Sequence, residues 1–239
     1  MARCATGILA PGEGVHAASR RAECAAPRAP VGAGDEGICL RRPKGKQTLG
    51  DLFEGRSQLV IYHAMFNPKT ATSETSWTED AACQACSFWL DNVNGIITHL
   101  NHRDVTLIAV SRAPISTIAA YQRRMGWTFT WVSSGDGDFN FDYGVSFNAE
   151  DIARKRTYYN YTLQDPPNTE SPGVSVFYKD PSGQVFHTYS TYSRGLDMLN
   201  VAYHYLDIVP KGRDEGNQGL YWVRRHDEYD APERTAVSG

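Results

Sequence analysis

Two short apolar runs, joined through one amphipathic helix, constrain this chain more than any other feature. Leu59-Val60-Ile61-Tyr62-His63-Ala64-Met65-Phe66 and the run from Val105 to Val110 are unbroken and rich in β-branched or aromatic residues. Such runs are typical of strands covered on both faces. Between them, a polar stretch over 67–80 leads into a helix predicted from about Ala82 to Asn101, with Trp89, Val93, Ile96, Ile97 and Leu100 on one face. Gly95 inside it costs up to about 1 kcal/mol against alanine, which the packed face must outweigh. A strand, helix and strand in this order demand parallel pairing through a right-handed crossover.

The pattern continues downstream. Pro114 suits the first turn of a second helix edged by Ile115 and Ile118, and Gly126 suits its C-terminal cap. Trp127 to Val132 alternates with period two and reads as a strand with one covered face. Residues 133–171 form a long Gly-, Asp-, Asn- and Tyr-rich connection, which either contributes to a site or conceals short elements. Val174–Tyr178 and Val185–Ser190 flank Asp180-Pro181-Ser182-Gly183, a hairpin signal. A last helix, Gly195 to Leu206, is expected to bury Leu196, Leu199, Tyr203 and Leu206. This order predicts an α/β, thioredoxin-like three-layer fold with a central mixed sheet and an inserted strand and loop.

The ends differ from this core. Residues 1–45 are rich in Ala, Gly, Pro and Arg and lack aromatics, a composition that cannot offset its ordering entropy and is expected to be disordered. The domain is therefore expected over 46–229, with a polar tail over 230–239. Of 239 residues, 24 are basic and 27 acidic; the resulting charge of −3 gives no basic field for nucleic acid. No apolar run approaches the roughly 20 residues of a membrane span, and the first residues hold no signal-peptide core, so the cytoplasm is the expected compartment and no membrane partner is expected.

Five cysteines stand at 4, 24, 39, 83 and 86, an odd count that argues against a secreted disulfide framework. Only Cys83 and Cys86 form a close pair. At the first turn of a helix, that spacing brings two sulfurs within bonding distance. Unpaired backbone N–H groups favour a thiolate on the first of them. Cys83 is expected to be the exposed, attacking sulfur and Cys86 the one that resolves a mixed disulfide. Pro172, just before Val174, stands where thioredoxin-like folds place a cis-proline that shapes the substrate edge; an ordinary loop proline is the alternative. His63, His187 and Trp89 are candidate supporting residues. The main expectation is a cofactor-free thiol–disulfide oxidoreductase that meets a disulfide- or thiol-containing protein or small molecule and a cellular reductant. The alternative is a copper- or zinc-binding or delivery protein using Cys83, Cys86, His63 and His187. For the histidines, packing within strands is the simpler reading, as it is for Tyr158, Tyr159 and Tyr161.

Several stretches carry a family resemblance: Leu52-Phe53-Glu54-Gly55-Arg56, Tyr62-His63, Cys83-x-x-Cys86-Ser87-Phe88-Trp89, Val110-Ser111-Arg112-Ala113-Pro114 and Met125-Gly126-Trp127-Thr128-Phe129. Asp142 to Phe147, His187 to Tyr192, and Arg194 to Leu199 running into Tyr203-His204-Tyr205-Leu206-Asp207 extend it. Over about residues 47–229 the chain resembles the bacterial thioredoxin-like proteins grouped as domain of unknown function 899, which implies a dithiol–disulfide oxidoreductase. Gln84 stands where that family commonly has proline. The order of elements is also similar to the peroxiredoxin and alkyl hydroperoxide reductase group, which makes a thiol peroxidase a second alternative. Asp80 and Pro172-Gly173 occupy the places of that group's Thr and Arg.

Overall fold

The computed structural model describes residues 40–42, 45–166 and 168–230. A short hairpin, β1 (Leu40–Arg42) and β2 (Gly45–Gln47), comes first. The central strand β3 (Gln58–His63) precedes two helices, α1 (Gln84–Leu90) and α2 (Ile97–His102). Then come β4 (Val105–Ser111), α3 (Ile115–Arg124) and β5 (Trp131–Ser133). The long connection does conceal short elements: α4 (Phe139–Asp142), α5 (Ala149–Ala153), β6 (Thr157–Tyr159) and β7 (Thr162–Gln164). Strands β8 (Gly173–Lys179) and β9 (Val185–Tyr192) lead through a 3-10 segment, Ser193–Leu199, into α6 (Val201–Leu206).

Seven strands make one mixed sheet in the order β2-β1-β5-β4-β3-β8-β9. β3, β4 and β5 are parallel, whereas β8 runs antiparallel to β3 and β9 to β8. Both parallel crossovers step the same way across the sheet, so right-handed connections place their helices on one face. Phe66, Trp77, Trp89, Tyr121, Trp131 and Tyr203 form the core there. The return from β5 to β8 covers the other face, where Leu52, Phe53, Ile61, Ile108, Phe139 and Phe177 pack. A parallel βαβ unit, a hairpin on the far side of its first strand, and a closing helix make this the expected α/β three-layer, thioredoxin-like fold.

Four local expectations are corrected. The helix predicted over 82–101 breaks into α1 and α2, because the Asn92 amide donates to the carbonyls of Phe88 and Trp89 (2.9 and 3.1 Å) and ends the first helix before Gly95. The strand predicted over 127–132 is confined to β5. The chain from Trp127 to Thr130 instead follows the end of α3: the Trp127 N–H bonds to Gln122 O at 3.0 Å, and the Gln122 amide reaches Phe129 O at 2.8 Å. The last helix starts only at Val201, where the Asn200 side chain accepts the N–H groups of Ala202 and Tyr203. Leu196 and Tyr203 are buried there, but Leu199 is exposed and Leu206 half-buried. Finally, order begins before residue 46: Leu40 is fully buried and Arg41 pairs with Ser133 of β5. Residues 1–39 and 231–239, and with them most of the segment expected to be disordered and of the expected polar tail, lie outside the described residues.

Beyond α6, residues 207–230 return over α1. Trp222 packs edge-on to Phe88 (centroids 5.4 Å apart) and Val223 is buried. Arg225, also buried, donates Nε and Nη2 to the Ala82 carbonyl at 3.0 and 2.6 Å and pairs with Glu228 at 3.0 Å. Removing the guanidinium leaves that carbonyl buried without its donors. Arg225→Ala is therefore expected to lower stability by about 3 kcal/mol, and Arg225→Lys to recover less than half of it, since an ammonium lacks the two-pronged geometry. Urea denaturation of the three proteins checks this; a loss under about 0.5 kcal/mol in the alanine variant contradicts it.

Candidate active site

The polypeptide leaves β3 at the middle of the sheet and turns back so that the Cys83 N–H bonds to Met65 O (3.0 Å) and the Met65 N–H to Cys86 Sγ (3.3 Å). Cys83 is the N-cap of α1; its carbonyl accepts the Ser87 N–H at 2.9 Å. Helix geometry then turns the backbone N–H groups of Ala85 and Cys86 towards the Cys83 sulfur. Both cysteines are free thiols.

Their environments differ. The strongest influence on Cys83 is a hydrogen bond from the Cys86 thiol. Burial opposes it, and the Ser76 hydroxyl (3.0 Å) and the two backbone N–H groups reinforce it, bringing the pKa down to about 7. Cys86 moves the other way: burial and the neighbouring Cys83 push its thiol well up. The Cys86 sulfur accepts the Met65 N–H, and this bond and the neighbouring Tyr62 hydroxyl pull its pKa down without overcoming burial. Charge therefore collects on Cys83, and the proton stays on Cys86.

Cys83 is not the exposed sulfur expected from the sequence. Each cysteine is 1% exposed. Loop 67–82 folds over Cys83: Ser76 bonds to its sulfur, the Gln84 N–H holds the Ser76 carbonyl at 3.2 Å, and Arg225 fastens Ala82. A cavity of about 310 Å³ reaches Cys86 instead, between Tyr62, Met65, Trp89, Tyr159 and Leu196. Trp89 Nε1 donates to Leu196 O at 2.7 Å, and the Tyr159 hydroxyl donates to Pro172 O at 2.6 Å while accepting the Ser193 N–H at 2.9 Å. These bonds brace the walls.

Pro172 lies in the cavity wall at the start of β8. Its peptide is trans, since the described residues contain no cis bond; the cis-proline expectation is corrected. Gly173, next to it, has no room for a side chain: a Cβ would stand 2.8 Å from the Tyr192 ring and 2.9 Å from Val145.

Strand alternation separates the predicted histidines from the dithiol. Tyr62 faces the cysteines, so His63 points to the opposite face, where its ring stacks with Phe139 and Tyr143. His63 Nε2 bonds to Ser175 Oγ at 3.0 Å, Ser175 reaches Ser190 at 3.3 Å, and His187 Nε2 meets Ser190 at 2.7 Å. Burial lowers the His63 pKa to about 3, so the ring is neutral. The chelate proposed from Cys83, Cys86, His63 and His187 is not assembled. Among the described residues no group of three or more His, Cys, Asp or Glu could hold a metal ion, and no helix is long and apolar enough to cross a membrane.

The model of the family described as bacterial proteins of unknown function (DUF899) matches residues 16–229. The chain belongs to that family. No curated protein matches its sequence. Among solved structures, the bacterioferritin comigratory protein of Xanthomonas campestris, studied for alkyl peroxide reduction, is 17% identical with a TM-score of 0.46, covering 72% of this chain and 92% of that one. A mutant of peroxiredoxin Q from the same organism is 16% identical with a TM-score of 0.47, covering 76% and 97%. The peroxidoxin BcpB of Mycobacterium tuberculosis is 12% identical with a TM-score of 0.43, covering 73% and 94%.

Four residues of this DUF899 chain that sequence reasoning passed over surround the dithiol: Tyr62, Ser76, Glu170 and Arg225. Tyr62 could have been found by alternation, as the neighbour of His63 on the helix-bearing face. The others come from loops and carried no signal. Glu170 is 2% exposed and accepts the Phe66 N–H at 3.0 Å, one residue beyond Met65. Burial pushes its carboxyl from 4.5 up to about 7, against the pull of Arg112.

A group that holds its proton more tightly when folded gives up stability as the pH rises between its unfolded and folded values, here from 4.5 to about 7. At 1.36 kcal/mol per pKa unit, ionising Glu170 costs the folded state about 3 kcal/mol. Glu170→Gln keeps an acceptor for Phe66 and removes the titration. The variant is expected to gain on wild type by roughly that amount between about pH 4 and about pH 8 in denaturant titrations. A pH-independent difference between the two proteins would show that the folded carboxyl titrates as it does in the unfolded chain.

Proposed function

We propose that this protein is a thiol–disulfide oxidoreductase working through the Cys83–Cys86 couple. One observation carries the reading: two free thiols stand at the start of one helix, Cys83 as its N-cap and Cys86 in its first turn, both tied to the backbone of Met65 at the end of β3. Oxidation joins the two sulfurs covalently and passes two electrons to a disulfide substrate, which leaves as two thiol-level products carrying whatever proton the pair held, and a cellular reductant returns the dithiol. The electrons are held in the sulfur–sulfur bond, so no cofactor is required. A reducing cytoplasm is the fitting compartment.

A thiol peroxidase is the second reading. It is favoured by the lowered Cys83 pKa together with that sulfur's burial, which a small peroxide evades more easily than a folded substrate. It requires a sulfenic acid on Cys83 after peroxide treatment.

Cys83→Ser and Cys86→Ser are each expected to lower disulfide turnover by on the order of 10³-fold while leaving the circular dichroism spectrum and urea midpoint close to wild type. A redox titration of the wild type is expected to give a single two-electron transition absent from both variants. Turnover that survives either substitution sinks the assignment. Rapid peroxide consumption with no disulfide turnover selects the second reading.

A further inference from the structure

The cavity and the charged sulfur do not coincide. Cys83 carries the lowered pKa, yet it is sealed by loop 67–82 and does not line the cavity. Cys86 does line it, beside Tyr62, and its sulfur already accepts the Met65 N–H at 3.3 Å. That backbone donor is placed to stabilise negative charge developing on Cys86 as it attacks. The base is near as well: Cys83 stands one helical turn before Cys86, and its lowered pKa suits it to take the Cys86 proton.

The walls limit what can enter. Tyr62, Met65, Trp89, Tyr159, Leu196 and Leu220 present mainly apolar surface. Two charged residues line the cavity, Arg194 and Asp197, and they pair with one another at 2.8 Å. No unpaired charge waits for a charged ligand, and burying one there would be costly. A volume of about 310 Å³ stands at the lower end of small-molecule sites, a size that suits one half of a small disulfide.

We infer that the cavity seats a small, neutral, apolar disulfide, and that Cys86 rather than Cys83 forms the mixed disulfide with it. This rests on the dithiol reading above and adds the sulfur that meets substrate and the kind of molecule it meets. The Cys86 sulfur attacks one substrate sulfur as its proton passes to Cys83. The substrate S–S bond breaks, a Cys86–S–S–R bond forms, and RS⁻ leaves. RS⁻ takes the proton from Cys83, whose thiolate then attacks Cys86 Sγ and expels the second RS⁻. The protein ends as the Cys83–Cys86 disulfide, oxidised by two electrons, and the substrate as RSH and RS⁻, reduced by two.

The test uses the full reduced chain with dithiodipyridine, a neutral aromatic disulfide, against dithiobis(nitrobenzoate) and glutathione disulfide, which are charged. Each rate is divided by the rate of the same disulfide with free dithiothreitol. The neutral disulfide is expected to be preferred by at least about tenfold. Acid-quenched wild type, digested and weighed, is expected to carry the thiopyridyl group on Cys86; Cys83→Ser is expected to accumulate that adduct and Cys86→Ser to form none. An adduct on Cys83, or equal normalised rates, overturns the inference while leaving the oxidoreductase reading in place. Failure to reduce any disulfide, with no Cys83–Cys86 bond formed on oxidation, overturns the oxidoreductase reading and this inference with it.

Discussion

Met65 commits both its backbone groups to the cysteine pair, its carbonyl to the Cys83 N–H and its N–H to the Cys86 sulfur. It stands two residues beyond His63, the last residue of β3, which is paired to β4 on one side and β8 on the other. The position of two sulfurs is thereby set by the register of the most constrained strand in the sheet. A slip of one residue in β3 would exchange Tyr62 with His63. It would bring a neutral imidazole to the cysteines and send a phenol into the opposite core.

The asymmetry of the pair follows from the same attachment. Cys83 is the residue before the helix, so free backbone N–H groups surround its sulfur. Cys86 lies one turn in, between apolar walls, with the Met65 N–H as its donor. Neither sulfur needs a neighbouring cation to differ from the other. Nearby buried Glu170 carries a raised pKa of its own, so three titrating groups share one dry region at the end of β3.

The sequence was most legible where periodicity and spacing act locally. The two apolar runs, the Cys-x-x-Cys spacing, the Pro114 and Gly126 helix limits and the β8–β9 turn each carry their instruction within a few residues. Legibility failed where a distant partner decides. Asn92 and Asn200 cut helices that hydropathy alone would have continued, because an amide side chain competes with the backbone for hydrogen bonds. Pattern likewise could not show that Cys83 would be covered: the covering atoms belong to Ser76 and Arg225, and nothing in the composition of either segment marks it as a lid. The histidine alternatives failed because residues adjacent in a strand face opposite ways, a rule available from the start and not applied to Tyr62 and His63.

Arg225 and the carbonyl it holds are separated by 143 positions along the chain. During synthesis the sheet, both sulfurs and most of the aromatic core emerge well before the guanidinium that fastens the loop over Cys83. A nascent chain halted after α6 would lack the guanidinium that holds this loop at Ala82. The cover over Cys83 is thus completed by residues that leave the ribosome long after the sulfur they help to enclose.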